Sequence, residues 1–291
     1  MERKDHVDLF GAVALVTFAT LFAFNQVVIK VTGGGFGPVF MAGLRSVGAL
    51  VVLALWMWWR GVRLHTPPGA ALGGVIAGVL FSVEFVGVFV ALDLTTVSRA
   101  SIMLYSMPVW LALAAHFVLP NERLTRRRSL GLTLAMAGVA VALFDRSGGV
   151  GSLVGDLLAL MAAMCWAGIA LTVRLTPLSR ASPEVQLLWQ LVISAPVLLA
   201  CAPYMGDLVR DLAPIHLWGL AYQVVIIASL GFLAWFWLLA RYPASGVASF
   251  SFLSPVLAVI LGWALLDEHI AAPVWGALGL VAVGLVLINR R

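Results

Sequence analysis

Charge is what this 291-residue chain has least of: lysine, arginine, aspartate and glutamate together make up 11% of it, against 62% hydrophobic residues. With a mean hydropathy of +1.05, so few charges cannot coat a soluble globule of this length, and the chain is expected in a lipid bilayer. Cysteine is nearly missing. Cys165 and Cys201 both sit inside apolar runs, where they read as small buried hydrophobes and offer neither a disulfide framework nor metal-ligand spacing. No GxxxxGK[ST] phosphate loop occurs, so the chain itself hydrolyses no ATP and implies no ATPase partner. No HExxH occurs either, and the five histidines lie at or near the ends of apolar runs or in loops; no metal, no cofactor and no enzymatic activity is expected. The net charge of +5 is spread over short connectors rather than one polar domain, which argues against nucleic acid as a partner. The first apolar run is followed by no small-residue cleavage site and reads as a retained span.

What is present is a series of long apolar runs. Ten are long enough to cross about 30 Å of hydrocarbon, near residues 8–31, 36–59, 69–92, 97–119, 128–144, 153–174, 183–203, 216–239, 245–266 and 271–288. Ser182-Pro183-Glu184 supplies an N-cap, a preset first-turn proline and a first-turn acid, and Gly37-Pro38 resembles the same device. With the N-terminus cytoplasmic, thirteen of the 18 basic residues fall on that side and only Lys30, Arg99, Arg146 and Arg210 on the other, Arg45 being buried. The positive-inside rule therefore predicts both termini in the cytoplasm.

The two halves of the chain repeat each other. Phe22 to Lys30 and Trp166 to Arg174 are both eight residues apart, and Pro38 to Arg45 and Pro183 to Gln190 both seven. The runs YSMPVWLALAAHFVLPNERL and FLSPVLAVILGWALLDEHI carry Pro108 and Pro255 in matching places and close on Glu122-Arg123 and Glu268-His269. Residues 1–149 and 150–291 are thus a duplicated five-helix unit, and an odd number of spans per unit inverts the second copy. An inverted repeat is a transporter architecture with its site near the bilayer midplane.

These residues resemble the EamA repeat of the drug/metabolite transporter superfamily, in two copies over essentially the whole chain, and within it the ten-helix bacterial amino-acid exporters of the YddG type. The resemblance implies an all-α polytopic protein of the bacterial inner membrane, with ten transmembrane helices around a central cavity and the fifth and tenth set to the side. The sequence departs from the pattern at Phe22, where such repeats usually carry Trp, and at Gln190, which answers Arg45.

Two ionisable groups, Arg45 and Glu84, lie deep in spans two and three, about 12 to 14 Å from the outer end by helical rise. A charge at that depth must be paired, hydrated or neutralised. Arg45 admits a structural role, packing on carbonyls or pairing with Glu84, or solute contact. Glu84 admits structural pairing or permanent protonation, or ammonium binding or proton coupling. Pro108 and Pro255, midway along spans four and nine, each free a backbone carbonyl and favour a kink, either a hinge or a static bend. Polar and aromatic residues of the midplane stretches give the candidate cavity lining: Asn25, Ser82, Ser101, Tyr105, Trp166, Ser229, Ser249 and Phe252. Trp56, Trp58, Trp59, Trp218 and Trp275 sit near run ends and read as an interfacial belt. Gly74 and Gly78 suggest close helix packing. The expected substrate is an amino acid, aromatic or otherwise bulky and neutral, exported by alternating access; a monomer satisfies the architecture. A broad metabolite or drug exporter is the alternative within transport, and a non-transporting receptor or assembly partner the alternative outside it.

Overall fold

The computed structural model describes residues 8–62, 64–119, 124–145, 151–231, 253–289 and, between them, 234, 238, 241 and 242. The described residues form helices: α1 (Leu9–Thr32), α2 (Pro38–Arg60), α3 (Ala70–Leu94), α4 (Val97–Leu104), α5 (Met107–Val118), α6 (Arg126–Phe144), α7 (Leu153–Leu175), α8 (Pro183–Cys201), α9 (Pro214–Tyr222, prolonged as a π-helix over Gln223–Gly231), α10 (Leu253–Leu266) and α11 (Ala272–Asn289). Among the described residues, eight apolar stretches, α4 and α5 counted as one, are long enough to cross a membrane, and the described parts of α10 and α11 are shorter apolar helices. The chain is a multi-pass membrane protein.

Local chemistry sets the boundaries. Asp8, Ser152 and Ser182 accept hydrogen bonds from first-turn amides, and Pro38, Pro183 and Pro214 open their helices, where a missing N–H costs nothing. Gly61 ends α2 with φ +63°, a left-handed conformation natural to glycine. Trp58, Trp59 and Trp218 are 82%, 71% and 76% exposed near helix ends, as interfacial tryptophans are.

The packing pairs helices by a rule. α2 packs on α8 and α6 on α11; α3 packs on α7 as α1 does on α9; α3 packs on α8 as α2 does on the π-helical stretch; α4 and α5 pack on α7 as α10 does on α1. Each of these contacts between the halves recurs with the halves exchanged. Directions follow from the helix ends. α1 finishes where α3 finishes, since Lys30 Nζ donates to the carbonyls of Asp93 (3.3 Å) and Thr95 (2.9 Å). α7 starts at that same end, the Ser152 amide donating to the Leu94 carbonyl at 3.3 Å, and finishes beside the start of α3, where Gly73 faces Thr176 and Gly69 faces Pro177. α1 and α7, the first helices of the two halves, therefore run in opposite directions. The end where α1 finishes is called the outer end below.

Gly74 and Gly78 let α3 approach α8: a Cβ at Gly78 would lie 2.7 Å from Ile193 Cβ and 3.0 Å from the Trp189 carbonyl oxygen. That backbone cannot step aside cheaply, so Gly78→Ala is expected to cost about 1–3 kcal/mol, read as a lower midpoint in heat-induced aggregation of detergent-purified protein.

The outer end is tied by charged groups. Arg99, expected as a connector charge, is a buried ion: it pairs with Asp156 at 2.8 Å with side chains 7% and 0% exposed. It also donates to the carbonyls of Asp145 (2.9 Å) and Ala142, while Thr95 Oγ1 donates to Asp156 at 2.9 Å. Arg210 donates to both oxygens of Asp93 at 2.7 and 2.9 Å and to the Gly33 carbonyl at 3.0 Å. The neighbouring carboxylate holds that exposed guanidinium even more firmly protonated than usual. Glu268, past the end of α10, accepts from the amides of Val97 and Ser98 (3.0 Å) and from Ser98 Oγ (2.6 Å). It thus caps the N-terminus of α4 from the other half, where a negative charge also meets the positive end of the helix. Glu268→Ala is expected to cost about 0.5–2 kcal/mol, and Glu268→Gln, which keeps an acceptor, less; thermal unfolding of the two variants side by side measures the difference.

Candidate functional site

The site begins with a break. Span four is interrupted at Tyr105 and Ser106, so that Pro108 stands in the first turn of α5 rather than inside a continuous helix. Proline has no amide to return to the Leu104 carbonyl, and Ser106 Oγ covers part of the gap by donating to the Met103 carbonyl at 2.6 Å and accepting from Trp110 Nε1 at 3.1 Å. The break sets Tyr105, 9% exposed, facing inward: its ring meets Trp166 of α7 at 6.4 Å between centroids and 62° between planes, an edge-to-face pair. Its hydroxyl lies beside the side chains of Gln26 on α1 and Ser254 on α10. Pro255 lies on α10, directly after Ser254.

Trp166 follows Cys165, which lies within electrostatic reach of Glu84, so the aromatic pair and the buried charges face the same stretch of α7. Glu84 and Arg45 are 8% and 7% exposed. They feel each other's charge, yet they form no ion pair within 4.0 Å. The Arg45 guanidinium lies instead over the rings of Phe85 (4.8 Å) and Phe89 (5.7 Å), a cation–π arrangement that partly compensates its burial. Arg45 Nε and Glu84 Oε2 have no hydrogen-bond partner.

Further buried polar atoms in the interior are also unpartnered: Asn25 Oδ1, Gln26 Oε1, Ser101 Oγ and Gln223 Oε1. Asn25 and Gln26 lie seven and six residues from the end of α1, Arg45 seven from the start of α2, Glu84 ten from the end of α3, and Gln223 nine from the start of α9. At 1.5 Å per residue that is one layer roughly 9 to 15 Å below the outer end. Unpaired buried polar groups are costly in water-free surroundings, and such a layer inside a bilayer can be satisfied by a visitor with donors and acceptors of its own.

Of the candidate lining residues, the structure brings Asn25, Glu84, Ser101, Tyr105 and Trp166 into or beside this layer. Ser82 and Ser229 are already engaged, donating to the carbonyls of Gly78 (2.8 Å) and Val224 (2.7 Å); the latter bond belongs to the π-helical stretch, a geometry that often marks functional segments. Ser249 and Phe252 lie outside the described residues. Gln26, Gln223 and Ser254 did not emerge from the sequence: uncharged amides and hydroxyls in apolar runs give a weak signal, the position of Gln26 beside Asn25 being the one hint. A crevice of about 580 Å³ opens at the outer end between Trp263, Asp267, Glu268, His269 and Trp275; of its two acids, Glu268 is spent on capping α4. Among the described residues no group of histidine, cysteine or acidic side chains could hold a metal ion.

Comparison with known proteins agrees with this geometry. Residues 9–144 and 153–290 each match the EamA-like transporter family. The Escherichia coli K12 protein named "Probable amino-acid metabolite efflux pump" is 28% identical, the match covering 99% of this chain and 93% of that one. The "Uncharacterized inner membrane transporter YedA" of the same strain is 23% identical over 99% and 93% of the two chains, and the "Uncharacterized transporter YoaV" of Bacillus subtilis is 23% identical over 88% of each. A solved structure 20% identical to this chain superposes with a TM-score of 0.67 over 95% of this chain and 96% of its own, a likeness of fold.

Proposed function

The chain belongs to the EamA-like transporter family, and from that premise we propose that it exports amino acids, aromatic or other bulky neutral ones, across the bacterial inner membrane by alternating access. As a family member it is a transporter and not an enzyme. The observation that carries the substrate class is the polar layer. Neutral in sum but rich in unpartnered acceptors and donors, and set against the Tyr105–Trp166 pair, it matches a zwitterion with a large apolar side chain. The relative named as a probable amino-acid metabolite efflux pump supports the same reading.

The architecture proposed is ten spans in two inverted five-helix repeats, with both termini cytoplasmic and the protein a monomer. The exchange-symmetric packing and the opposed directions of α1 and α7 support the inversion, and the basic residues of the connectors support the orientation. The solute binds at the midplane, its side chain against Tyr105, Trp166 and Phe252 and its charged ends on the polar layer. The halves then rock about the helices that carry Pro108 and Pro255. Glu84, whose Oε2 has no partner and no cation in contact, serves as the acid through which proton influx drives export. The test is a panel of radiolabelled amino acids in protein-only liposomes, with and without a proton gradient. Flux of aromatic or bulky neutral amino acids is expected, and flux of none of them sinks the reading.

A further inference from the structure

We propose that Gln26, held beside the Tyr105 hydroxyl, is the acceptor that recognises the primary ammonium of the solute; this deepens the export reading and rests on it. Gln26 is 6% exposed, and its Oε1 has no partner. The Tyr105 hydroxyl of α4's C-cap stands beside it and is also faced by Ser254 of α10, and the Trp166 ring lies across the Tyr105 ring. An ammonium has three donors and no acceptor; the atom left unpartnered here is an acceptor, Gln26 Oε1, set by aromatic rings that suit a cation, and an acceptor is what a carboxylate cannot use.

The nearby charges agree with this polarity. Lys30, one turn along α1 on the same face as Gln26, is turned to the outer end, where two carbonyls bind its ammonium and Asp93 and Glu268 face it. Its field is thereby offset. Arg45 Nε, an unpartnered donor in the same layer, is left for the carboxylate end. A neutral amide is also the fitting residue here: it receives a cation without itself demanding a counter-charge when the site is empty.

The proposal is tested with three ligands that share a phenylethyl group: L-phenylalanine, 2-phenylethylamine, which lacks the carboxylate, and 3-phenylpropionate, which lacks the ammonium. Equilibrium binding of radiolabelled 2-phenylethylamine to the full-length detergent-purified protein is measured for wild type, Gln26→Met and Gln26→Glu, each first shown to be folded by its melting temperature. Gln26→Met is expected to weaken amine binding by about tenfold or more, the loss typical of a hydrogen bond to a charged group, while 3-phenylpropionate binds no more weakly than to wild type. Gln26→Glu, which keeps the acceptor and adds charge, should bind the amine at least as tightly as wild type, and it answers the question if the Met variant does not fold. Unchanged amine binding in Gln26→Met, amine binding weakened by Gln26→Glu, or 3-phenylpropionate binding wild type as well as the amine does, would overturn the proposal. Gln26-dependent amine binding without flux of any amino acid into liposomes would leave the subsite standing and remove the export reading.

Discussion

Asp156→Ala is expected to be the most damaging single substitution among those predicted here for the fold, costing about 3–5 kcal/mol, because it strands the buried guanidinium of Arg99 without its counter-ion. Arg99 would retain the carbonyls of Ala142 and Asp145, which satisfy donors but not charge. It would also lose the bonds from Nε and Nη2 to the carboxylate, at 3.1 and 2.8 Å. The network joins the start of α4, the ends of α3 and α6 and the start of α7, so its failure loosens both halves at once. The measurement is the midpoint of thermal unfolding in detergent, with the monodisperse fraction after purification as a second readout. A double substitution separates charge from packing: Arg99→Met with Asp156→Leu should recover much of what Asp156→Ala loses, since two apolar side chains leave no ion uncompensated. If Asp156→Ala melts as wild type does, the pair contributes nothing and the outer end is held by its other contacts.

The sequence made the apolar runs legible, because a bilayer imposes length and hydropathy on every span. The helix starts at Pro38 and Pro183 and the break at Pro108 were equally readable, since a missing amide acts locally whatever the tertiary context. Arg99 was misread for a physical reason. A charge near the end of an apolar run looks like a connector charge, and its partner Asp156 is 57 residues away in the chain, on a helix whose packing no local pattern reveals. Arg45 and Glu84 show a second limit. Their depths on α2 and α3 were legible, but depth along a helix says nothing of azimuth, and a step of one residue, about 100° around α3, is what aims Phe85 rather than Glu84 at the guanidinium. Gln26 and Gln223 show a third: amides carry no charge to flag them, so only the three-dimensional count of satisfied atoms brings them forward.

The second large effect is expected at Glu84. On the proposed function, Glu84→Gln removes the stimulation of export by an inward proton gradient and lowers the gradient-driven rate on the order of tenfold, equivalent to about 1.4 kcal/mol, while amino-acid binding in the absence of a gradient survives. The substitution preserves shape and one acceptor and deletes only the capacity to gain and lose a proton. The titratable or charged groups within reach of Glu84 are Arg45 on α2 and Cys165 on α7. Arg45 is a guanidinium and keeps its charge near neutral pH, which leaves the carboxyl as the group able to change its charge as the site turns from one side of the membrane to the other. The sign follows: acidifying the outer compartment speeds export by the wild type and leaves the Gln variant unmoved. Liposomes loaded with labelled amino acid and diluted into buffers of falling pH measure both slopes in one series. Parallel slopes would assign Glu84 a purely structural role opposite Arg45. A flat slope in the wild type would mean that solute leaves down its own gradient, with no coupled proton.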